Sequence, residues 1–347
     1  MTKYIVEQAL LKLPRVRLAH LPTPLEEMAN LSARLGGPRL LVKRDDCTGV
    51  AMGGNKARQA EWYFGAVMAA GADTVITTGA VQSNHARMTC AYARRLGLAC
   101  EIQLEHRVKG QGEIYAKSGN VLLNRLLGAR IHEYPDGEDE KGADENLALI
   151  AARVKSEGGK LFVIPLSPDH PPVGALGYLE AASEILGQAA AMALTIDAFV
   201  VPSGSASTHA GLLAGLRALG SKARVLGICV RRDAKSQAAR VAAKSSATER
   251  LAGLPELVSA ADIWVDDDYL GPGYGQSTPE MMEAMRLAGE CEGLLLDPVY
   301  TAKSMAGLIG AVRDGVFKAG ETVVFLHTGG TPALFAYGEL FDQPTET

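Results

Sequence analysis

Short apolar runs alternate with amphipathic stretches of helical length along almost the whole chain. Residues 40–44, 74–78, 99–104 and 161–165 each read as a strand, and so do 198–201, 225–230 and 322–326 further on. Between them a 3.6-residue period predicts helices over 57–70, stopped by Gly71, and over 85–96, stopped by Gly97. Further helices are expected over 176–186, stopped by Gly187, and over 279–290. Continuous apolar strands separated by helices imply parallel sheets covered on both faces, so the fold class is α/β. The polar stretch 135–142 reads as a solvated loop ahead of a helix. No fixed-period repeat shows, and no proline-rich or serine-rich linker betrays a domain boundary.

With 347 residues the chain is long enough for two domains or lobes. Its net charge of -4 gives no reason to expect nucleic acid or an acidic membrane surface as a partner. No apolar run approaches the roughly 20 residues that span a bilayer, and the first residues lack a secretory pattern. The five cysteines are odd in number and scattered, with no C-x-x-C spacing. Neither structural disulfides nor a metal site is therefore expected, and a reducing, cytoplasmic setting fits.

The candidate chemistry lies in the turns that follow the strands. Gly53-Gly54-Asn55-Lys56 places a lysine on a glycine turn at a helix start, with Asn55 beside its amine. A lysine that attacks an aldehyde needs a fixed position and some neutral amine; a surface lysine capping a turn needs neither. Gln82-Ser83-Asn84-His85 follows the 74–78 strand and opens the next helix. Free N–H groups and short polar side chains there can hold a ligand, and Ser83 or Asn84 equally suits an ordinary helix cap.

Ser203-Gly204-Ser205-Ala206-Ser207-Thr208 sits between a strand and a helix, and its small residues leave successive N–H groups free to surround a phosphate. It lacks both the lysine of a nucleotide-binding loop and the G-x-G-x-x-G of a dinucleotide fold. Tyr274 in Gly271-Pro272-Gly273-Tyr274-Gly275 and Tyr300 in Asp297-Pro298-Val299-Tyr300-Thr301 offer hydroxyls to a substrate or to a proton transfer; half-buried aromatic packing is the other reading. Thr328 belongs to the ligand-binding type of loop that closes the last strand, His327-Thr328-Gly329-Gly330. The histidines at 20, 106, 132, 170 and 209 show no metal-ligand spacing and read as structural or solvent-facing.

In this order the motifs resemble the D-cysteine desulfhydrase and 1-aminocyclopropane-1-carboxylate deaminase group, which also includes L-cysteate sulfo-lyases. Pro22-Thr23-Pro24-Leu25 and Val42-Lys43-Arg44-Asp45-Asp46 fit the same group, so the likeness runs from about residue 14 to 338. The resemblance implies the two-domain tryptophan synthase β-like fold (fold type II) with twisted, mostly parallel sheets. A small domain, 55–165, is then inserted into a large one, 1–54 plus 166–347. The implied cofactor is pyridoxal 5'-phosphate, the implied partner a small amino-acid substrate, and the implied assembly a homodimer. Lys56 matches the Schiff-base lysine that also moves the α-proton, and Asn84 the residue on the cofactor's ring hydroxyl. Ser83 and His85 match substrate-binding positions, and Gly204, Ser205, Ala206, Ser207 and Thr208 the phosphate loop. Tyr274 and Tyr300 match the two active-site tyrosines.

Thr301 stands where the deaminases carry a glutamate near the pyridine nitrogen. A neutral hydroxyl leaves a weaker electron sink than a carboxylate, which favours β-elimination over opening of a cyclopropane. The expected reaction is β-elimination from a β-substituted alanine, D-cysteine first. Sulfite release from L-cysteate, deamination of the cyclopropane and β-replacement follow, and a non-catalytic amino-acid or cofactor-binding protein is the alternative of another class. The stretch Leu104-Glu105-His106-Arg107-Val108 is similar to the L-cysteate branch. Residues 166–172, rich in proline, depart from the glycine-rich loop of the desulfhydrases and are expected to affect specificity.

Overall fold

A computed structural model of the chain describes residues 2–164 and 170–341. Its strands are β1 (Leu25–Glu27), β2 (Arg39–Arg44), β3 (Thr74–Ala80), β4 (Ala99–Glu105) and β5 (Arg130–Tyr134). They continue with β6 (Leu161–Ile164), β7 (Ala198–Ser203), β8 (Arg224–Cys229), β9 (Trp264–Asp266) and β10 (Thr322–His327). The helices are α1 (Thr2–Leu10), α2 (Ala29–Leu35), α3 (Asn55–Ala69), α4 (Asn84–Arg95), α5 (Glu113–Lys117), α6 (Gly119–Leu126) and α7 (Glu140–Ser156). After them come α8 (Leu176–Ala191), α9 (Ser207–Ala218), α10 (Ala234–Leu251), α11 (Pro279–Glu292), α12 (Thr301–Arg313) and α13 (Thr331–Leu334).

The strands form two sheets. Six lie in the order β1-β2-β10-β7-β8-β9 and four in the order β5-β4-β3-β6. Every pairing is parallel except β1 with β2. The central strands β3, β7 and β10 are buried at every position, the threonines of β3 included, as strands covered on both faces are. All four strands of the smaller sheet come from residues 74–164, and the larger sheet takes its strands from both sides of that stretch.

The seven expected strands all form. The three that patterning did not single out, β1, β5 and β9, are short or edge strands with half-exposed residues. The expectation that Gly187 ends a helix is corrected: α8 runs on to Ala191. Gln188, one residue further, donates to the Thr23 carbonyl at 2.8 Å and accepts from the Lys43 ammonium at 2.6 Å. Those two bonds hold the helix past an exposed glycine that local propensity alone would have used as a stop. Residues 166–169 of the proline-rich loop lie outside the described residues.

α3, which carries Lys56, is pinned by buried charges. Arg58 grips both carboxylate oxygens of Asp45 at 2.9 Å and reaches Glu184 of α8 at 2.8 Å. Lys43 at the end of β2 bonds Glu184 at 2.5 Å. A fully bonded buried cluster of this kind fixes geometry, and removing one member costs about 3–5 kcal/mol.

Candidate active site

A cleft opens where the two sheets meet, lined by the turns after β3, β4, β7, β8 and β10 and by the start of α3. Lys56 sits at the second residue of α3 and owes its place to two glycines. Gly53 (φ 65°) and Gly54 (φ 118°) both take the left-handed region, and a Cβ on Gly53 would lie 2.0 Å from the Asp46 carbonyl oxygen. Asn55 N–H then bonds the Thr328 carbonyl at 3.0 Å, tying this turn to the loop after β10. The Lys56 ammonium donates to Gln59 at 3.2 Å, and burial pulls its pKa down to about 8. Asn55, expected beside that amine, instead donates to the Thr208 hydroxyl at 2.9 Å; Gln59, one turn on, holds the place.

The turn after β3 delivers Ser83, Asn84 and His85 to the opposite wall. Ser83 caps α4, accepting from the Ala86 N–H at 3.1 Å, so the cap and the cleft-lining residue are one and the same. Asn84 Oδ1 accepts from Arg87 at 2.7 Å and from Asn120 at 3.0 Å. With its oxygen filled on both lone pairs, Asn84 faces the cleft with NH₂ donors and selects a ligand atom that accepts. Arg87 also donates to the Gly53 carbonyl at 2.7 Å, so one buried guanidinium sets both the asparagine and the lysine turn.

His85 is neutral, its pKa lowered to about 3 by burial first and then by the charges of Lys56 and Lys244. Its tautomer follows from its partner. Thr77 gives its hydroxyl proton to the Ile164 carbonyl at 2.8 Å, so the 2.9 Å contact with His85 Nε2 must have the histidine as donor.

Gly204, Ser205, Ala206 and Thr208 line the third wall. Ala206 takes φ 68°, and no side chain caps α9, so the first N–H groups of that helix remain for a ligand. Thr208 Oγ1 accepts from Asn55 at 2.9 Å and from Gln59 at 3.0 Å, which leaves its hydroxyl proton to donate. Ser207, expected in this cradle, supplies the first N–H of α9, while its hydroxyl turns away and accepts from Lys244 of α10 at 3.1 Å. Burial, with Arg240, Lys56 and Arg232 nearby, pulls Lys244 down to about 7. Arg231, Arg232 and Arg240 line the same end, so the loop opens onto a concentration of positive charge. Sequence reading missed these four cations: Arg231 and Arg232 lie in the turn after β8, Arg240 and Lys244 lie within α10, and no local motif marks any of them as a ligand group.

Tyr274 and Tyr300 close the cleft, with hydroxyls 2.6 Å apart and rings at 74°. Burial pushes both phenols up, and Arg107 opposes the shift. Lys303 steadies the Tyr274 loop by donating to the carbonyls of Leu270 (2.6 Å) and Gly273 (2.8 Å). Thr328 lines the cleft as expected. Thr301 does not: it is buried, its hydroxyl donates to Asp297 Oδ1 at 2.7 Å, and its N–H bonds the same oxygen at 2.9 Å. These bonds to Asp297 fix the turn that carries Tyr300. His20, His106 and His170 are exposed, His132 is half-buried and His209 is buried, in keeping with structural or solvent-facing roles.

The model of the family described as "Pyridoxal-phosphate dependent enzyme" matches residues 16–329, and the chain belongs to that family. It is 44% identical to the D-cysteine desulfhydrase of Klebsiella pneumoniae (strain 342), an alignment covering 95% of this chain and 98% of that one. It is 43% identical to the D-cysteine desulfhydrase of Salmonella choleraesuis (strain SC-B67) over 94% of this chain and 97% of the relative. Among solved structures, an "ACC deaminase homologue" superposes with TM-score 0.84 at 37% identity, covering 96% and 97% of the two chains. The diaminopropionate ammonia lyase of Escherichia coli shares the fold alone, with TM-score 0.67 at 15% identity over 98% of this chain and 90% of that one.

The cofactor of this family is pyridoxal phosphate, and the residues fit it. An uncapped helix start, a hydroxyl with its proton to spare and several cations suit a phosphate dianion. The Asn84 amide suits a ring oxygen that accepts. Lys56, with its lowered pKa, suits the aldehyde.

Proposed function

We propose that the protein is a carbon–sulfur lyase that converts D-cysteine and water to pyruvate, ammonia and sulfide. The observation that carries this reading is 44% identity to a D-cysteine desulfhydrase over 95% of the chain. Pyridoxal phosphate, when bound, supplies an electron sink that acidifies the substrate's Cα–H. Lys56 and Asn84 would hold its ring side, and Gly204, Ser205, Ala206, Thr208 and the N–H of Ser207 its phosphate, with Lys244 supporting the loop through the Ser207 hydroxyl.

The start of α4 binds the substrate carboxylate through its backbone N–H groups and the Ser83 hydroxyl, with the neutral His85 ring alongside. Lys56, substantially neutral near pH 8, takes the proton from Cα. Tyr274 and Tyr300 share one proton between two hydroxyls and pass one to or from the substrate. Thr301 acts at one remove, by holding Asp297 and the Tyr300 turn.

The two sheets support a large domain of 1–54 plus 166–347 and a small one of 55–165, with catalysis between them. Five cysteines, all free, accord with a cytoplasmic setting, and among the described residues no helix is long and apolar enough to cross a membrane. A homodimer is the assembly expected from the resemblance.

The test is to incubate the purified holoenzyme with D-cysteine and measure sulfide and pyruvate, expected in equal amounts. Parallel incubations score sulfite from L-cysteate and 2-oxobutyrate from 1-aminocyclopropane-1-carboxylate. Faster product formation in either of those would displace the D-cysteine reading.

A further inference from the structure

Arg107 has no part in the mechanism above, yet it lines the cleft. It follows β4 by two residues, and its side chain is 12% exposed. Nε and Nη2 both donate to one oxygen of Glu105, at 2.8 and 2.5 Å. The other Glu105 oxygen accepts from the Thr78 hydroxyl. Glu105 therefore locks the guanidinium plane, and Nη1, which makes no bond in that arrangement, is the donor left for the cleft. The pair is neutral overall, so it does not demand a charged ligand. A fixed N–H beside it still favours negative charge that develops during a reaction.

The other walls are spoken for. Around the substrate α-carbon, the proton goes to Lys56 and the carboxylate to the start of α4. The substituent left for the wall of Arg107, Tyr274 and Tyr300 is the β-carbon with its leaving group. We propose that Arg107 is a catalytic residue that donates through Nη1 to the atom leaving the β-carbon, stabilising it as the Cβ–S bond breaks. In that step the Cβ–S electron pair stays with sulfur, the electrons freed at Cα form the Cα–Cβ double bond, and hydrosulfide departs. This role rests on the β-elimination reading and deepens it, since it makes the enzyme selective for substituents that leave as anions and need help to do so.

Leaving-group dependence tests it. Chloride leaves without assistance, so β-chloro-D-alanine is the internal standard for D-cysteine. The holoenzyme variants Arg107→Lys and Glu105→Gln/Arg107→Met are compared with wild type; the double variant removes the ion pair together and leaves no buried carboxylate unpaired. The kcat/KM ratio of D-cysteine to β-chloro-D-alanine should fall by about tenfold or more in the double variant, with Arg107→Lys in between. Cofactor absorbance and Tm verify that each variant is folded and loaded.

A ratio within about twofold of wild type would overturn the role, whatever happens to the absolute rates. An equal rise in KM for both substrates would instead place the carboxylate at Arg107. If the wild-type enzyme released no sulfide from D-cysteine, the lyase reading would fail by itself. The Arg107 assignment would then be decided by spectral titration with D-alanine and D-cysteine, where its loss must weaken the thiol-bearing ligand selectively.

Discussion

The hydroxyl oxygens of Tyr274 and Tyr300 stand 2.6 Å apart, on two loops 26 residues apart in the chain. One loop is anchored by Lys303, the other by Asp297 through the N–H groups of Val299, Tyr300 and Thr301. Two phenols at that distance share a proton, so each depends on the other for its protonation state. Tyr300→Phe and Tyr274→Phe should each lower kcat on D-cysteine by roughly 10²-fold or more. The double variant should lose little beyond either single one, because the pair acts as a unit. Steady-state kinetics of the three variants checks this, and strictly multiplicative losses would show two independent residues.

Burial brings Lys56 down to about 8 from the usual 10.5. At pH 7.5 roughly a quarter of it is then the neutral amine, against about one in a thousand for an ordinary lysine. The lowered value favours the nucleophile as pH rises through 8. Capture of pyridoxal phosphate by cofactor-stripped protein should therefore accelerate from pH 6.5 and level off above about pH 9. Borohydride reduction followed by peptide mapping should find the cofactor on Lys56, and label on another lysine would refute its assignment.

Lys244 bonds Ser207 beside the phosphate loop and belongs to α10, away from every local motif. Lys244→Met removes a charge that burial and neighbouring cations already disfavour. It should raise the dissociation constant for pyridoxal phosphate about tenfold or more, with a much smaller effect on KM for amino acid at saturating cofactor. Equilibrium dialysis of the stripped protein measures the first quantity. Unchanged retention would make Lys244 a packing residue.

His209 is fully buried, and burial lowers its pKa to about 4 from 6.5. The unfolded chain binds a proton there below pH 6.5, while the folded one does not until about pH 4. Stability is therefore present above 6.5 and lost as pH falls from 6.5 to 4, by about 3 kcal/mol in all. Urea denaturation at pH 7.0, 5.5 and 4.5 should show that slope added to the similar one from His85, and His209→Gln should remove about half of the combined slope. An equally steep loss in the variant would assign the acid sensitivity elsewhere.

Much of the cleft is legible in the sequence. Lys56, Ser83, Asn84, His85, Gly204, Ser205, Ala206, Thr208 and Thr328 lie in turns that follow strong apolar strands, and a parallel sheet gathers such turns along one edge. Apolar period and glycine punctuation locate these turns, and the resemblance supplies the roles of the residues in them. Asn55, expected beside the Lys56 amine, bonds Thr208; the Ser207 hydroxyl bonds Lys244; and Thr301, which the resemblance puts near the cofactor, bonds Asp297. Short polar side chains in a turn have several acceptors within reach, and only the packed neighbours choose among them.

By itself the sequence determined the order of strands and helices, the positions of the turns and the residue types they carry, since these follow from local periodicity and backbone preference. The tertiary structure alone decided which charges meet. Arg107 is set by Glu105 and Thr78, and Lys244 is brought to α9 by the packing of α10. Arg87 joins Gly53 to Asn84 across 31 residues of chain, giving the lysine turn and the ring-binding amide a common anchor. The energy of such contacts depends on distance through space and on exclusion of water, and neither is encoded in spacing along the chain.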